Sequence, residues 1–445
     1  MSFVRKKQAI TRRLLISLVG VFIFLSVDVP VAFGSDDKEP HFYSGLDVGF
    51  GSVDEDWFFS VMLEQGFSFG GLDVALWGPL RFRVIDSDPQ DDGTLREQDW
   101  DEPSDFARIA RSVTYFHEWD DAVLDIRFGE LNGVGVGHGS VMDCYFNSTD
   151  MDHYQGGLTL DVDYNGSGLE LVTENVVSPE ILLGRVYIAP IAWFIEGDWP
   201  TRLVFGYTLG ADISAPRRTT ANSPTTLPIT GGDVSLTLLD NDVVELTPYL
   251  DMMAMDGDLG LHAGLATSWT LSQERNVFLH LRGEYRRLGG DSHPAIFNPF
   301  YEYNRRYYGL DPVTDMENTL ADSLANDGSQ TSDGFMAHAV FDWDEKVRVG
   351  ARYDSEGRDR PHWVMFRLDV SPVERFSLAG FYSGQDRRRG AGVFSVDSLI
   401  GASVHYQIVG PLRAFSEFTR RWRRVGATMD WANESVFGAG LLFTY

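Results

Sequence analysis

Alternation of apolar and polar residues is the dominant pattern of this chain, and it is clearest in the second half. From Lys346, the residues Val347, Val349, Ala351 and Tyr353 alternate with Lys346, Arg348, Arg352 and Asp354. Successive side chains of a strand point to opposite faces, so this run predicts a strand with one apolar and one charged face. From Val277, the set Val277, Leu279, Leu281 and Tyr285 alternates with His280, Arg282, Glu284 and Arg286. Phe335, Ala337, Ala339, Phe341 and Trp343 form a third such face. In a soluble sandwich the apolar faces would meet a second sheet, and in a membrane barrel they would meet lipid. Periodicity alone does not separate the two.

Turn spacing adds direction. Short connectors at Asn165-Gly166-Ser167, Leu239 to Asp242, Asp344-Glu345, Ser371-Pro372 and Gly410-Pro411 alternate with longer polar segments at 86–109, 131–155, 211–232, 287–333, 385–395 and 421–433. One end of the sheet therefore carries tight turns and the other long loops, the asymmetry of an up-and-down barrel in an outer membrane. Strands are expected to begin near 43, 57, 72, 110, 122, 156, 168, 185, 201, 233, 243, 259, 276, 334, 346, 361, 376, 396, 412 and 434. The expected fold is all-β, a transmembrane antiparallel barrel of about 18–20 strands with both termini on the periplasmic side.

Composition narrows the function classes. Hydrophobic residues make up 43% of 445, and beyond residue 34 no stretch approaches the length of an apolar helix that spans a bilayer. Backbone polar groups in lipid must be satisfied internally, so a closed barrel is the remaining way to span. Arg5, Lys6, Lys7, Arg12 and Arg13, the apolar run 14–27 and the small-residue zone 31–34 read as a signal peptide over 1–34, leaving 35–445 as the barrel. The net charge of −28 becomes −32 once that segment, with five basic residues and only Asp28, is removed. A chain this acidic is not a nucleic-acid binder. Cys144, the single cysteine, rules out an intrachain disulfide and cysteine-rich zinc sites.

The last ten residues read Val-Phe-Gly-Ala-Gly-Leu-Leu-Phe-Thr-Tyr, with Phe437, Ala439, Leu441, Phe443 and Tyr445 on one face. Gly438, Gly440, Phe443 and the terminal Tyr445 resemble the C-terminal assembly signal of bacterial outer-membrane β-barrel proteins. The resemblance implies a multi-pass barrel of the outer membrane, porin-like, with the barrel assembly machinery, membrane lipid and lipopolysaccharide as partners and a homotrimer as one assembly.

If the apolar faces meet lipid, the opposite faces line a lumen. They carry Arg81, Arg83, Arg127, Arg202, Arg282, Arg286, Arg348, Arg352 and Arg367, interspersed with Asp125, Asp161, Asp163, Glu170, Glu245, Asp251, Glu284, Asp354 and Asp369. So many charges in a dry core would be prohibitively desolvated, so the interior is expected to hold water or an internal loop that pairs them. Segment 131–155 follows the fifth expected strand, the position at which general porins fold a loop inward. It is similar to such a constriction loop, with Asp143, Asp150 and Asp152 as its acids facing the wall arginines. The acidic segment 86–105 reads as a solvated outer loop. The rings and guanidinium groups of 297–308, within the long extracellular loop 287–333, suit either sugar stacking or loop packing.

The function expected from these readings is passive diffusion of small hydrophilic solutes. Alternatives are a dedicated saccharide or solute pathway acting with a partner, and a plugged structural or adhesion barrel. His138, Ser140 and Asn147 resemble outer-membrane phospholipase only by residue type, and Asp150, Asp152 and His153 resemble omptin-like proteases in the same limited way. No enzyme, cofactor or metal is expected.

Overall fold

The computed structural model describes residues 40–444, apart from 88–92, 120, 196–201, 218–224, 256, 291, 311–316, 327–330, 345, 358–361, 374, 387–393, 395–397 and 426–427. The expected signal peptide and Tyr445 lie outside the described residues.

Twenty antiparallel strands close into one barrel. In chain order they are β1 (His41–Val53), β2 (Asp56–Phe69), β3 (Leu72–Ile85), β4 (Ser112–Glu118) and β5 (Ala122–Gly129). Next come β6 (Gly157–Tyr164), β7 (Ser167–Thr173), β8 (Ile181–Ile188), β9 (Leu203–Ala215) and β10 (Thr225–Leu236). The second half holds β11 (Val244–Met255), β12 (Asp258–Ser272), β13 (Val277–Leu288), β14 (Ser332–Trp343) and β15 (Val347–Ser355). The barrel ends with β16 (His362–Val373), β17 (Phe376–Asp386), β18 (Ser398–Val409), β19 (Leu412–Val425) and β20 (Thr428–Thr444). Each strand pairs with its sequence neighbour, and β1 pairs with β20 from Tyr43↔Thr444 to Val53↔Glu434. Closure removes the exposed strand edges that an open sheet would present.

The long connections 86–111, 130–156 and 289–331 all lie at the same end, and the opposite end has turns of a few residues except at 189–202. The described starts of β1 and β20's end sit at the short-turn end. Asn165 and Gly166 adopt the positive φ angles, 51° and 74°, of a tight hairpin turn.

Three expected boundaries are corrected. β16 runs on to Val373, with Ser371 and Pro372 inside it, where the register shifts between Val370 and Val373 and so accommodates a proline without an amide donor. Segments 211–232 and 421–433 are mostly strand rather than loop: β9 runs to Ala215 and β10 starts at Thr225, and β19 runs to Val425, which pairs with Thr428 of β20. These stretches sit at the long-loop end, where a strand rising above the lipid needs no apolar face, so Thr-Thr-Leu-Pro-Ile-Thr-Gly-Gly and Arg-Arg-Trp-Arg-Arg carry no legible alternation.

The outward faces are apolar and exposed: Leu46, Leu250, Leu265, Leu281, Phe366 and Leu441 are examples distributed around the circumference. The principal dry core lies inside. Leu131, Val136, Val141, Met142 and Tyr145 from one long loop and Ile296, Phe297, Tyr301, Leu320 and Leu324 from another pack on Val172, Ile181, Leu183, Leu227, Ile229 and Met253 of the wall.

Candidate functional site in the barrel interior

Segment 131–155 leaves the wall after Gly129 and crosses the interior. Asn147, fully buried, ties its ends together: its Oδ1 accepts from the Leu131 amide at 2.8 Å and its Nδ2 donates to the carbonyls of Gln155 and Glu174 at 2.9 and 2.8 Å. On one side the Gly137 amide donates to Glu170 of β7 at 2.9 Å, and the His138 ring stacks on Tyr249 of β11 with centroids 4.2 Å apart. On the far side Phe146 meets Phe381 of β17 at 5.0 Å, and the Met151 amide donates to the Trp422 carbonyl of β19 at 2.9 Å. Two glycines make the close approach sterically feasible. Gly137 (φ 56°) and Gly139 (φ 78°) are left-handed, and a Cβ would overlap the Arg185 guanidinium at the first and the Asp143 carboxylate at the second.

The second long loop lies against the first. The amides of Ala295 and Phe297 donate to the carbonyls of Ser140 and Val141, and the Asp143 amide donates to the Phe297 carbonyl. Within this loop, α1 (Tyr301–Asn304) and α2 (Leu320–Asn326) are short helices. Phe297, Phe300, Tyr301 and Tyr303 are buried. The Tyr301 hydroxyl donates to Asp212 at 2.6 Å, and Arg305 pairs with Asp212 at 3.0 Å and with Glu180. Of the two uses open to these groups, packing is the one they serve; those rings are not available for stacking on a sugar.

The nine wall arginines separate into distinct environments. Arg282 and Arg352 converge on Asp143, with Nη1 to Oδ2 distances of 2.9 and 2.7 Å, beneath the loop. Arg286, with no exposed side-chain surface, pairs with Glu284 and with Asp354 at 2.6 Å. Arg83 pairs with Asp56 at 3.3 Å, Arg127 with Asp125 at 2.5 Å and Arg202 with Asp240 at 3.7 Å. Arg81, Arg348 and Arg367 line a cavity of about 860 Å³ between segment 131–155 and the wall from β13 around to β3. Arg348 and Arg367 remain half exposed, at 55% and 51%, while paired with Asp342 and Asp369.

Sequence reasoning missed other cavity groups: Arg108, Arg111, Arg413 and Arg421, with Asp47, Glu64, Glu417 and Glu434. Arg413 pairs with Asp47 at 2.6 Å and Arg421 with Glu434 at 3.1 Å. In β19 the inward residues Arg413, Phe415, Glu417 and Thr419 mix polarity, and Arg420 and Arg421, consecutive in sequence, both line the cavity, so its faces were not legible.

The three loop acids are also separated. Asp143 sits in the arginine clamp; although burial disfavours its charge, Arg352 and Arg282 hold its carboxyl below the usual range. Asp150 lines the cavity and is bridged through its backbone to Trp422. Asp152 pairs with Arg96, in the 93–111 segment rather than on a wall strand.

That segment is not simply a solvated acidic loop. Glu97, Asp101 and Glu102 are exposed, but Asp99 and Asp105 are fully buried, while Asp88, Asp91 and Asp92 lie outside the described residues. Burial opposes ionisation of Asp99, yet Arg81, Arg96 and Arg108 bring its pKa down to about 2. Segment arginines thus neutralise segment acids against the wall. Asp101, Asp105 and His153 place ligand atoms within 4.8 Å of one another. Both Asp105 oxygens are already engaged by the amides of Tyr154 and Glu102. Burial lowers the pKa of His138 to about 4, and its ring stacks on Tyr249.

No protein-family model matches the chain, and no curated protein matches it in sequence. Solved structures similar in fold include the outer membrane protein OpdK of Pseudomonas aeruginosa, at 9% identity and a TM-score of 0.32, covering 92% of this chain and 99% of that one. OccK8 (OprE) of the same organism gives 11%, 0.35, 92% and 98%. OccAB2 of Acinetobacter baumannii gives 12%, 0.34, 93% and 100%. At that level the likeness extends to no functional residue.

Proposed function

We propose that the chain is an outer-membrane channel for passive diffusion of small hydrophilic solutes, with residues 1–34 removed on export and segment 131–155 constricting the lumen. The observation that carries this is the charged interior: a cavity of about 860 Å³, lined by arginines and carboxylates, within a wall whose outer face is apolar. Its volume falls in the range that holds one small molecule. Arg348 and Arg367 are the wall cations that a passing solute meets, and Asp150 lines the same cavity from the loop. Arg282 and Arg352 instead hold the constricting loop through Asp143, and Arg286 pairs within the wall with Glu284 and Asp354.

Gly438, Gly440, Phe443 and Tyr445 are proposed as the assembly signal. A side chain at Gly438 would overlap the Val48 carbonyl, and one at Gly440 the Asp47 carboxylate, so both glycines allow β20 to seal against β1. Single-channel recording of purified protein in planar bilayers tests the proposal. An ohmic conductance whose ion selectivity moves on R348A/R367A and on D150N supports it; a barrel that conducts nothing without an added partner or ligand overturns the passive reading.

A further inference from the structure

At the short-turn end, one connection departs from the rest. Several turns there are tight, such as Gly70-Gly71 and Asn165-Gly166, and the 237–243 connection exposes Leu238, Leu239 and Val243, whereas 189–202 begins Ala-Pro-Ile-Ala-Trp-Phe-Ile and carries two rings. Its described part forms a helical turn: the amides of Phe194 and Ile195 donate to the Ile191 carbonyl at 3.1 and 3.2 Å. Ala189 is anchored, fully buried, with its amide donating to Ser167 Oγ at 3.0 Å. Beyond it, Trp193, Phe194 and Ile195 are 61%, 84% and 45% exposed, and Phe194 is the most exposed large apolar side chain among the described residues.

Water is an expensive environment for this tip, and a helical turn beginning from an anchored alanine presents it as a firm knob. Two rings and an isoleucine offer about 400 Å² of apolar surface. A stable protein interface needs about 800 Å² per partner, so the knob is too small to hold a second chain alone. It is continuous with apolar surface of another kind. The outward faces of the flanking strands carry Val186 on β8 and Phe205 and Tyr207 on β9, all exposed. Aromatic side chains favour the membrane–water boundary, where a ring meets acyl chains and its edge meets headgroups.

We propose that Trp193, Phe194 and Ile195 insert into the headgroup and upper acyl region of the leaflet at the short-turn end, a lipid contact below the β8–β9 wall. The proposal rests on the reading of the barrel as membrane-spanning. Inserted there, the knob fixes the depth and tilt of one side of the barrel relative to the bilayer.

Reconstituted full-length protein in phosphatidylcholine vesicles, with and without acyl chains brominated near the headgroup, is the test. The spectrum of W193F subtracted from that of the parent isolates Trp193 among the 11 tryptophans. The Trp193 component is expected to be blue-shifted, quenched at least two-fold by brominated lipid and shielded from iodide. A red-shifted component quenched by iodide and indifferent to bromine overturns the proposal. The same subtraction for W269F reports a belt tryptophan on β12, 41% exposed on the outward face. If Trp269 is quenched and Trp193 is not, the knob is wrong and the spanning barrel stands; if neither is quenched, the spanning reading itself fails. A photo-crosslinking phenylalanine at position 194 adds a second readout: an adduct to lipid supports insertion, and an adduct to a second copy of the chain overturns it.

Discussion

Replacing Asp143 with asparagine, D143N, removes one charge from the point where the inward loop is clamped to the wall. In the native interior the carboxylate bridges Arg282 at 2.9 Å and Arg352 at 2.7 Å, and both guanidinium groups have a further acidic neighbour, Glu284 at 3.3 Å and Asp354 at 2.8 Å. Stripping a buried ion pair of one partner costs about 3–5 kcal/mol when the other is left uncompensated. Here each arginine keeps a carboxylate, so the loss approaches that of charged hydrogen bonds, about 2 kcal/mol. That lowers the ratio of docked to released loop about thirty-fold. The net charge at the clamp also rises by one, favouring anions. Single-channel recordings should therefore show larger or noisier openings and a reversal potential displaced toward anion selectivity. D143E, which retains the charge, should recover part of the parental trace. In the parent, the Asp143 pKa is held below its usual value, so the clamp's stabilisation is present above the ordinary carboxylate range and is lost as acidification passes below it. A folded D143N barrel with unchanged conductance, noise and selectivity would falsify the clamp.

Other perturbations address the seam, the belt and one buried acid. L265R places a cation at the middle of β12's outward face, and should cost roughly 2–4 kcal/mol in urea-unfolding measurements in lipid if that face meets the bilayer core; an effect under about 0.5 kcal/mol would argue against it. G440V should prevent β20 from sealing on β1, seen as loss of the compact heat-modifiable band on gels, whereas the exposed-face change L441V should leave the band intact. Glu174, after β7, is buried near Glu302, and its pKa is raised from 4.5 to about 8. A raised folded value stabilises fully below pH 4.5, and the effect is lost as pH rises through 8. Unfolding free energy should fall by up to about 3 kcal/mol between pH 6 and 8, less in E174Q; identical slopes in the two proteins would remove the assignment.

Much of the barrel was legible because lipid imposes a simple code. Where a strand crosses apolar surroundings it must alternate, and Leu279–Arg286 and Val347–Asp354 do so, with a glycine as the one neutral step in each. Legibility failed where that constraint lapses, at Thr225–Gly232 and Thr419–Val425, at the long-loop end of their strands. The interior was only partly legible for a different reason. Alternation places Arg282, Arg348 and Arg352 on one common face, and all three do point inward, but nothing in the strand says which arginine a distant loop will cover. That depends on Asp143, 139 and 209 residues earlier than Arg282 and Arg352 by numbering. The same limit hid Asp99, whose partners come from β3 and from its own segment.

The contact between Met151 and Trp422 also has a bearing on the order of assembly. Trp422 belongs to the penultimate strand, yet it is nearly fully buried, with its indole Nε1 donating to Thr149 at 3.0 Å and its carbonyl receiving the Met151 amide. A loop from the first third of the chain therefore has no complete seat until the final hairpin arrives. Sealing the wall and finishing the interior become one event, so a chain halted before β19 would be left with an open edge and an unseated loop together.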